Sequence, residues 1–143
     1  SLGDTVTSTD GYEPHINVAK PGRIDSTTSP NAMLATLRSL TLGAALSPAS
    51  RRQLVAWLVA NKTGDKRLRA GLPAGWKASG WKVGDKTGNN GQDQTNDIAV
   101  IWPPGRKPLF VAAFHDQGSA DDDVRSAVLA DVARAVVGAG FGA

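Results

Sequence analysis

A chain of 143 residues with 41% hydrophobic and 20% charged residues has the size and composition of one globular domain or part of one. Its 16 basic and 13 acidic residues are scattered, so the net charge of +3 describes a mildly basic surface and argues against a nucleic-acid partner. With no cysteine and only two histidines, His15 and His115, far apart in the chain, neither a disulfide framework nor a metal centre is expected, and no cofactor is implied. No apolar run approaches the roughly 18 residues of a membrane span, and the N-terminus does not read as a signal peptide, so a soluble chain with no membrane partner is expected.

Residues 1–28 are polar and turn-rich without periodicity, and a loop of that length in a compact domain is expected to carry function. Helical grammar begins at Ser29, a cap, with Pro30 at the first helical position and Met33, Leu37 and Leu40 on one face before Gly43. It repeats with Ser47 and Pro48, with Leu54, Trp57 and Leu58 on one face and an end near Asn61, which predicts a helical pair. Thr63-Gly64-Asp65 reads as a turn and Leu72-Pro73-Ala74-Gly75 as a break, closing a helical segment over 29–75. Gly-Trp-Lys then occurs twice in succession, at Gly75-Trp76-Lys77 and Gly80-Trp81-Lys82, and reads as a bulge before the strand that follows.

Strands are predicted over 81–87, 97–102 and 109–114, and their short Gly/Asn- and Pro-rich links make them an antiparallel meander. A last helix over 121–137 carries Val124, Val128, Val132 and Val136 at four-residue intervals, the face expected to cover the sheet, and three aspartates at its positive end. The predicted fold is α/β of the α+β type, an antiparallel sheet flanked by helices. With two open edges on a three-stranded sheet it is incomplete and calls for a partner segment.

Lys86-Thr87-Gly88 on the first strand suits recognition of a carboxylate beside a reacting acyl group. The lysine supplies charge, the threonine hydroxyl a hydrogen bond, and the glycine close access to the strand. As a bare tripeptide it is more often an ordinary strand end. The amide that follows, at Asn89, is placed to donate to an oxyanion, although Asn89 and Asn90 are turn residues by default. In Tyr12-Glu13-Pro14-His15-Ile16-Asn17, Glu13 is a candidate base for a water that Asn17 helps to aim, against the plainer reading of a solvated loop carboxylate. Arg67 is either a second cation for a substrate carboxylate or, with Arg69, a partner of nearby acids such as Asp65.

Taken in order, Leu2-Gly3-Asp4, the Glu-Pro-x-x-Asn run from Glu13 to Asn17, Thr27-Thr28-Ser29-Pro30, Leu72-Pro73-Ala74-Gly75-Trp76, Lys86-Thr87-Gly88 and Asn96-Asp97-Ile98-Ala99 resemble segments of the class A serine β-lactamases. The resemblance covers nearly the whole chain, from the omega loop to the C-terminal helix. It implies hydrolysis of a β-lactam antibiotic through a serine acyl-enzyme. Glu13 is then the deacylation base, Asn17 its water-binding partner, Lys86, Thr87 and Gly88 the carboxylate-binding motif, Asn89 the substrate edge and Arg67 an auxiliary cation. The family's Ser-x-x-Lys nucleophile and its Ser-Asp-Asn element precede the omega loop. Acylation is therefore expected to depend on a complementary N-terminal half, a separate fragment or an exchanged copy, with this chain inactive alone. The resemblance also implies a periplasmic or secreted location.

Two departures from the family pattern stand out. Ser8-Thr9-Asp10-Gly11 replaces a family Arg-Leu-Asp-Arg, and Ser26 stands where an aspartate pairs with the second arginine, which predicts a looser omega loop. The repeated Gly-Trp-Lys lengthens the approach to Lys86 and threatens the strand's register. Two other readings are a degenerate, non-catalytic binding module on the same scaffold and a penicillin-binding transpeptidase, which has no use for a water-activating loop.

Overall fold

Serine caps start the first two helices. Ser29 Oγ accepts the Ala32 N–H at 3.2 Å and Ser47 Oγ the Ser50 N–H at 3.2 Å. Each therefore opens a helix with proline in its first turn, α1 (Pro30–Thr41) and α2 (Pro48–Ala60). The computed structural model describes residues 2–13, 16, 22, 24–116, 118 and 121–141. A 3-10 turn at Leu68–Gly71 leads to strands β1 (Lys82–Asn89), β2 (Thr95–Trp102) and β3 (Leu109–His115), and α3 (Asp122–Phe141) ends the fold.

The sheet is antiparallel in the order β1-β2-β3, as the short links predict. Strand alternation sorts its residues between two cores. Val83, Ala99, Ile101, Val111 and Ala113 face the 3-10 turn and α3, meeting Leu68, Leu72, Leu129, Ala133 and Val137. Val100 faces the helical pair and meets Leu37 and Leu58, with Ile98, Trp102 and Phe110 packed beside it. In this register Lys86 pairs with Ile98 and so lies on the helical-pair side, whereas Thr87 pairs with Asp97 on the α3 side.

Two faces differ from expectation. On α2, Leu58 is buried and Leu54 half-buried, but a single helical step turns Trp57 away and leaves it 67% exposed. On α3, Val124 and Val128 are exposed, Val132 and Val136 are half-buried, and the buried row is Arg125, Leu129, Ala133 and Val137 with Ser126 and Ala130. The cause is close approach to the 3-10 turn: a Cβ on Gly71 would meet the Ala130 carbonyl oxygen at 2.1 Å and the Ala133 Cβ at 2.7 Å. Only small residues fit that contact, so the helix presents Ala130 and Ala133 to the turn and leaves Val124 and Val128 exposed.

β1 runs further than predicted, through Gly88 and Asn89, which pair with Asn96 and Thr95. The loop is correspondingly shorter and is closed by one side chain. Asn90 Oδ1 accepts the N–H groups of Gln92, Asp93 and Gln94 at 2.9, 3.1 and 3.0 Å.

The duplicated Gly-Trp-Lys is a turn rather than a strand bulge. Gly75 and Gly80 bracket it with φ of 72° and 80°, and the Trp81 N–H returns to the Trp76 carbonyl at 3.1 Å. Both tryptophans pack on the α3-side core, and from Lys82 the ladder runs unbroken. Because the excursion closes on itself, deleting residues 77–81 is expected to keep the strand register, at the cost of one core-packing tryptophan. Circular dichroism with cross-strand NMR contacts checks this, and a shifted Lys86 to Ile98 pairing would contradict it.

Candidate active site

The strand bearing Lys86-Thr87-Gly88 is anchored at both ends by arginines. At its start Asp85, fully buried, takes Arg69 Nε at 2.9 Å and Nη2 at 2.5 Å. Arg69 Nη2 also donates to the carbonyls of Leu58 and Val59 at 3.1 and 3.2 Å, tying β1 to the last turn of α2. At its end Arg67, also buried, donates through Nη1 to the carbonyls of Gly88 at 3.1 Å and Asn96 at 2.9 Å, and its Nη2 lies 3.7 Å from Asp122. Of the two sequence readings of Arg67, neither anticipated these carbonyl contacts. Arg69 does pair with an acid, Asp85, and with Asp65 at 3.5 Å.

Lys86 is exposed and its ammonium donates to the Thr87 carbonyl at 2.7 Å. The Thr87 hydroxyl shares a 2.5 Å hydrogen bond with Thr63, which in turn donates to Asn61 Oδ1 at 2.9 Å. Asn89 Nδ2 donates to Asp122 at 2.5 Å, so its side chain is held by α3. Glu13 is exposed in a turn, while Asn17 and His15 lie outside the described residues. His115 is half-buried with its backbone N–H on Asn96 Oδ1 at 3.2 Å. Among the described residues no His, Cys, Asp and Glu group could hold a metal ion, and no helix is long and apolar enough to cross a membrane.

A cleft of about 400 Å³ brings the loop and the strand together: Ile16, Thr27 and Thr28 line one side, and Gly88, Asn89 and Asn96 the other. Among the described residues, Glu13 and Lys86 stand outside its lining. The neck of the loop, which lacks the family's arginine–aspartate pair, is stitched by hydroxyls. Ser26, in the left-handed region at φ 56°, accepts the Asp10 N–H at 3.0 Å and donates to the Asp10 carbonyl at 3.1 Å. Ser8 donates to the carbonyls of Thr27 at 3.0 Å through its N–H and Ile24 at 2.8 Å through its hydroxyl. At the entrance Asp4 is drawn down to about 2, first by the Thr7 hydroxyl and then by the Thr7 and Val6 N–H groups.

One Ser-x-x-Lys string does occur in the chain, Ser79-Gly80-Trp81-Lys82, created where the Gly-Trp-Lys repeats. Its geometry is not that of an activated nucleophile. The Ser79 hydroxyl donates to the Gly75 carbonyl at 3.3 Å, and the Lys82 ammonium lies 5.0 Å from the centre of the Trp102 ring.

Sequence reasoning also passed over Asp85, Asp97 and Asp122. The first two carried a signal: both sit at inward positions of strands, Asp97 two residues before buried Ala99, where a carboxylate needs a reason to be.

An α+β fold with this sheet and these flanking helices is the architecture of the serine β-lactamases, and the comparisons agree. Residues 1–139 match the model of the β-lactamase enzyme family. The chain is 48% identical over 136 residues to a β-lactamase of Citrobacter koseri, covering 95% of this chain and 45% of that one. It is 40% identical to β-lactamase 3 of Bacillus cereus, covering 95% and 42%. Among solved structures, the class A β-lactamase of the last common ancestor of Gram-negative bacteria superposes with a TM-score of 0.89 at 59% identity, over 96% of this chain and 51% of that one. A β-lactamase from Xanthomonas campestris gives 0.87 at 54%, over 94% and 49%. This chain belongs to the β-lactamase enzyme family, in class A. It spans about half the length of the relatives it matches.

Proposed function

We propose that this chain is the C-terminal half of a class A β-lactamase and hydrolyses penicillins and cephalosporins once a complementary N-terminal half supplies the acylating serine. The observation that carries the reading is the cleft in which the loop residues Ile16, Thr27 and Thr28 face Gly88 and Asn89 of the Lys-Thr-Gly strand. On this reading Lys86 and Thr87, with Arg67 adding positive charge from beneath the strand end, receive the antibiotic's carboxylate. The Asn89 backbone N–H stabilises the oxyanion formed as the serine opens the ring. Glu13, with Asn17, then removes a proton from the water that attacks the acyl-enzyme ester, and the serine leaves with a proton. The N-terminal half is a separate fragment, an exchanged copy or a preceding stretch of one longer chain, and the assembled enzyme acts in the periplasm or after secretion. The missing arginine pair at the loop neck favours one other reading, a non-catalytic module on the same scaffold.

The test is hydrolysis of a chromogenic cephalosporin by this chain with and without the N-terminal half. Turnover is expected only from the pair. Glu13→Gln in the pair is expected to slow turnover roughly hundredfold and to accumulate an acyl-enzyme visible by mass spectrometry. Turnover by this chain alone would contradict the division of roles, and a Glu13→Gln rate equal to the parent's would favour the non-catalytic module.

A further inference from the structure

The end of the Lys-Thr-Gly strand is held from behind by one carboxylate on the last helix. Asp122, in the first turn of α3, accepts from Asn89 Nδ2 of β1 at 2.5 Å, from Thr95 Oγ1 of β2 at 3.0 Å and from Arg125 Nη2 at 3.2 Å, with Arg67 Nη2 at 3.7 Å. These donors come from both strands of the hairpin, from α3 and from the residue before the 3-10 turn. Arg125, buried behind it, reaches on to Thr95 Oγ1 at 2.8 Å and to the Gln92 carbonyl at 2.6 Å, so the loop between β1 and β2 is fixed to the same point.

From this geometry we infer that Asp122 is a positioning residue for substrate: it sets the place of Asn89 and, through Arg67, of the Gly88 carbonyl. The inference rests on the proposed β-lactamase reading, and Asp122 itself touches no reacting atom. Two consequences follow from its contacts. Asn89 and Thr87 share one side of β1, so a free Asn89 amide would swing over the motif; tied to Asp122, it leaves that edge clear. Asp122 also sits against the guanidinium of Arg67, whose other nitrogen grips Gly88 and Asn96, and so moderates the positive charge beneath the carboxylate-binding edge. Partial burial pushes the Asp122 carboxyl up, but the Thr95 hydroxyl, Arg67, Arg125 and Asn89 outweigh it and hold the group below its ordinary value, charged at neutral pH.

The test uses this chain assembled with the N-terminal half. Asp122→Ala and Asn89→Ala are each expected to lower kcat/KM about tenfold, mainly through kcat, because a misplaced strand edge costs orientation rather than attraction. The double variant is expected to fall no further than either single one, the signature of two residues acting as one unit. Asp122→Asn keeps an acceptor oxygen for Asn89 and Thr95 while removing the charge beside Arg67, and is expected to keep kcat and change KM alone. A merely structural carboxylate would instead lower melting temperature without this split and without rescue by asparagine. Independent losses that multiply in the double variant, or an Asp122→Ala enzyme with parental kcat/KM, would overturn the assignment. An assembled parent without turnover would count against the β-lactamase reading instead. Amide hydrogen exchange at residues 88–90 then decides the positioning role by itself: faster exchange in Asp122→Ala upholds it, and unchanged exchange refutes it.

Discussion

Gly64→Ala is expected to destabilise the assembled protein by roughly 3 kcal/mol or more, far beyond an ordinary turn substitution. A Cβ at Gly64 would lie 1.6 Å from Asp85 Oδ2 and 2.8 Å from its Cγ, so the aspartate or the turn must move. Neither has room. Asp85 is fully buried on a central stretch of β1, and its other oxygen is gripped by Arg69 Nε and Nη2. Pushing the carboxylate aside separates a buried ion pair, and a charge left alone in the interior costs about 3–5 kcal/mol, whereas the methyl itself contributes less than about 1 kcal/mol of burial. Arg69 would lose its fixed place beneath the Leu58 and Val59 carbonyls, loosening the joint between α2 and the strand that carries Lys86. Urea denaturation measures the loss, and a change under about 0.5 kcal/mol would show that the Thr63 to Asp65 turn yields freely.

Much of this architecture was legible because its signals are local. A serine cap with proline behind it needs only four residues to declare a helix start, and Ser29 and Ser47 both form the expected contact. The three strands and their order follow from short links for the same reason. What escaped depends on residues distant in the chain. No window around α3 reveals that Gly71 will press against Ala130 and that Val124 and Val128 will face outward. Nor does the Gly-Asn composition after Thr87 show that Asn90 folds its side chain over three amides and lets β1 continue to Asn89. At the site, the placing of Lys86, Thr87 and Gly88 on one strand was readable, but the grip on that strand from behind was not. Arg67 reaches carbonyls, which leave no trace in side-chain pattern, and Asp122 looked like one of three helix-start aspartates. The string Ser79-Gly80-Trp81-Lys82 teaches the converse: spacing without a helix to bring hydroxyl and ammonium together carries no chemistry.

Asp97 makes the stability of this fold fall as pH rises from weakly acidic to weakly basic. Its carboxyl is fully buried beside the same strand end, paired in register with Thr87. One oxygen accepts the Leu68 N–H at 3.2 Å, while the other has no hydrogen-bond partner among the described residues. Burial, then the charge of neighbouring Asp85, pushes the group from 3.8 up to about 8, with the Leu68 N–H, Arg67 and Arg69 opposing. The folded state therefore holds a proton that the unfolded chain releases near 3.8. The stabilisation is fully present below that value, declines across the interval and is gone above about 8. Relaxation and water entry reduce the ideal figure, leaving a loss on the order of 3 kcal/mol between about pH 5 and pH 9. Asp97→Asn copies the protonated form, since its oxygen still receives the Leu68 N–H and its amide fills the place of the hydroxyl. It is expected to match the parent near pH 5 and to exceed it by that amount near pH 9. Subtracting the two profiles cancels every contribution the two proteins share, so the difference belongs to position 97. If the two profiles ran parallel, the carboxyl would have to be ionised in the folded state at neutral pH, with Arg67 and Arg69 outweighing its burial and the charge of Asp85.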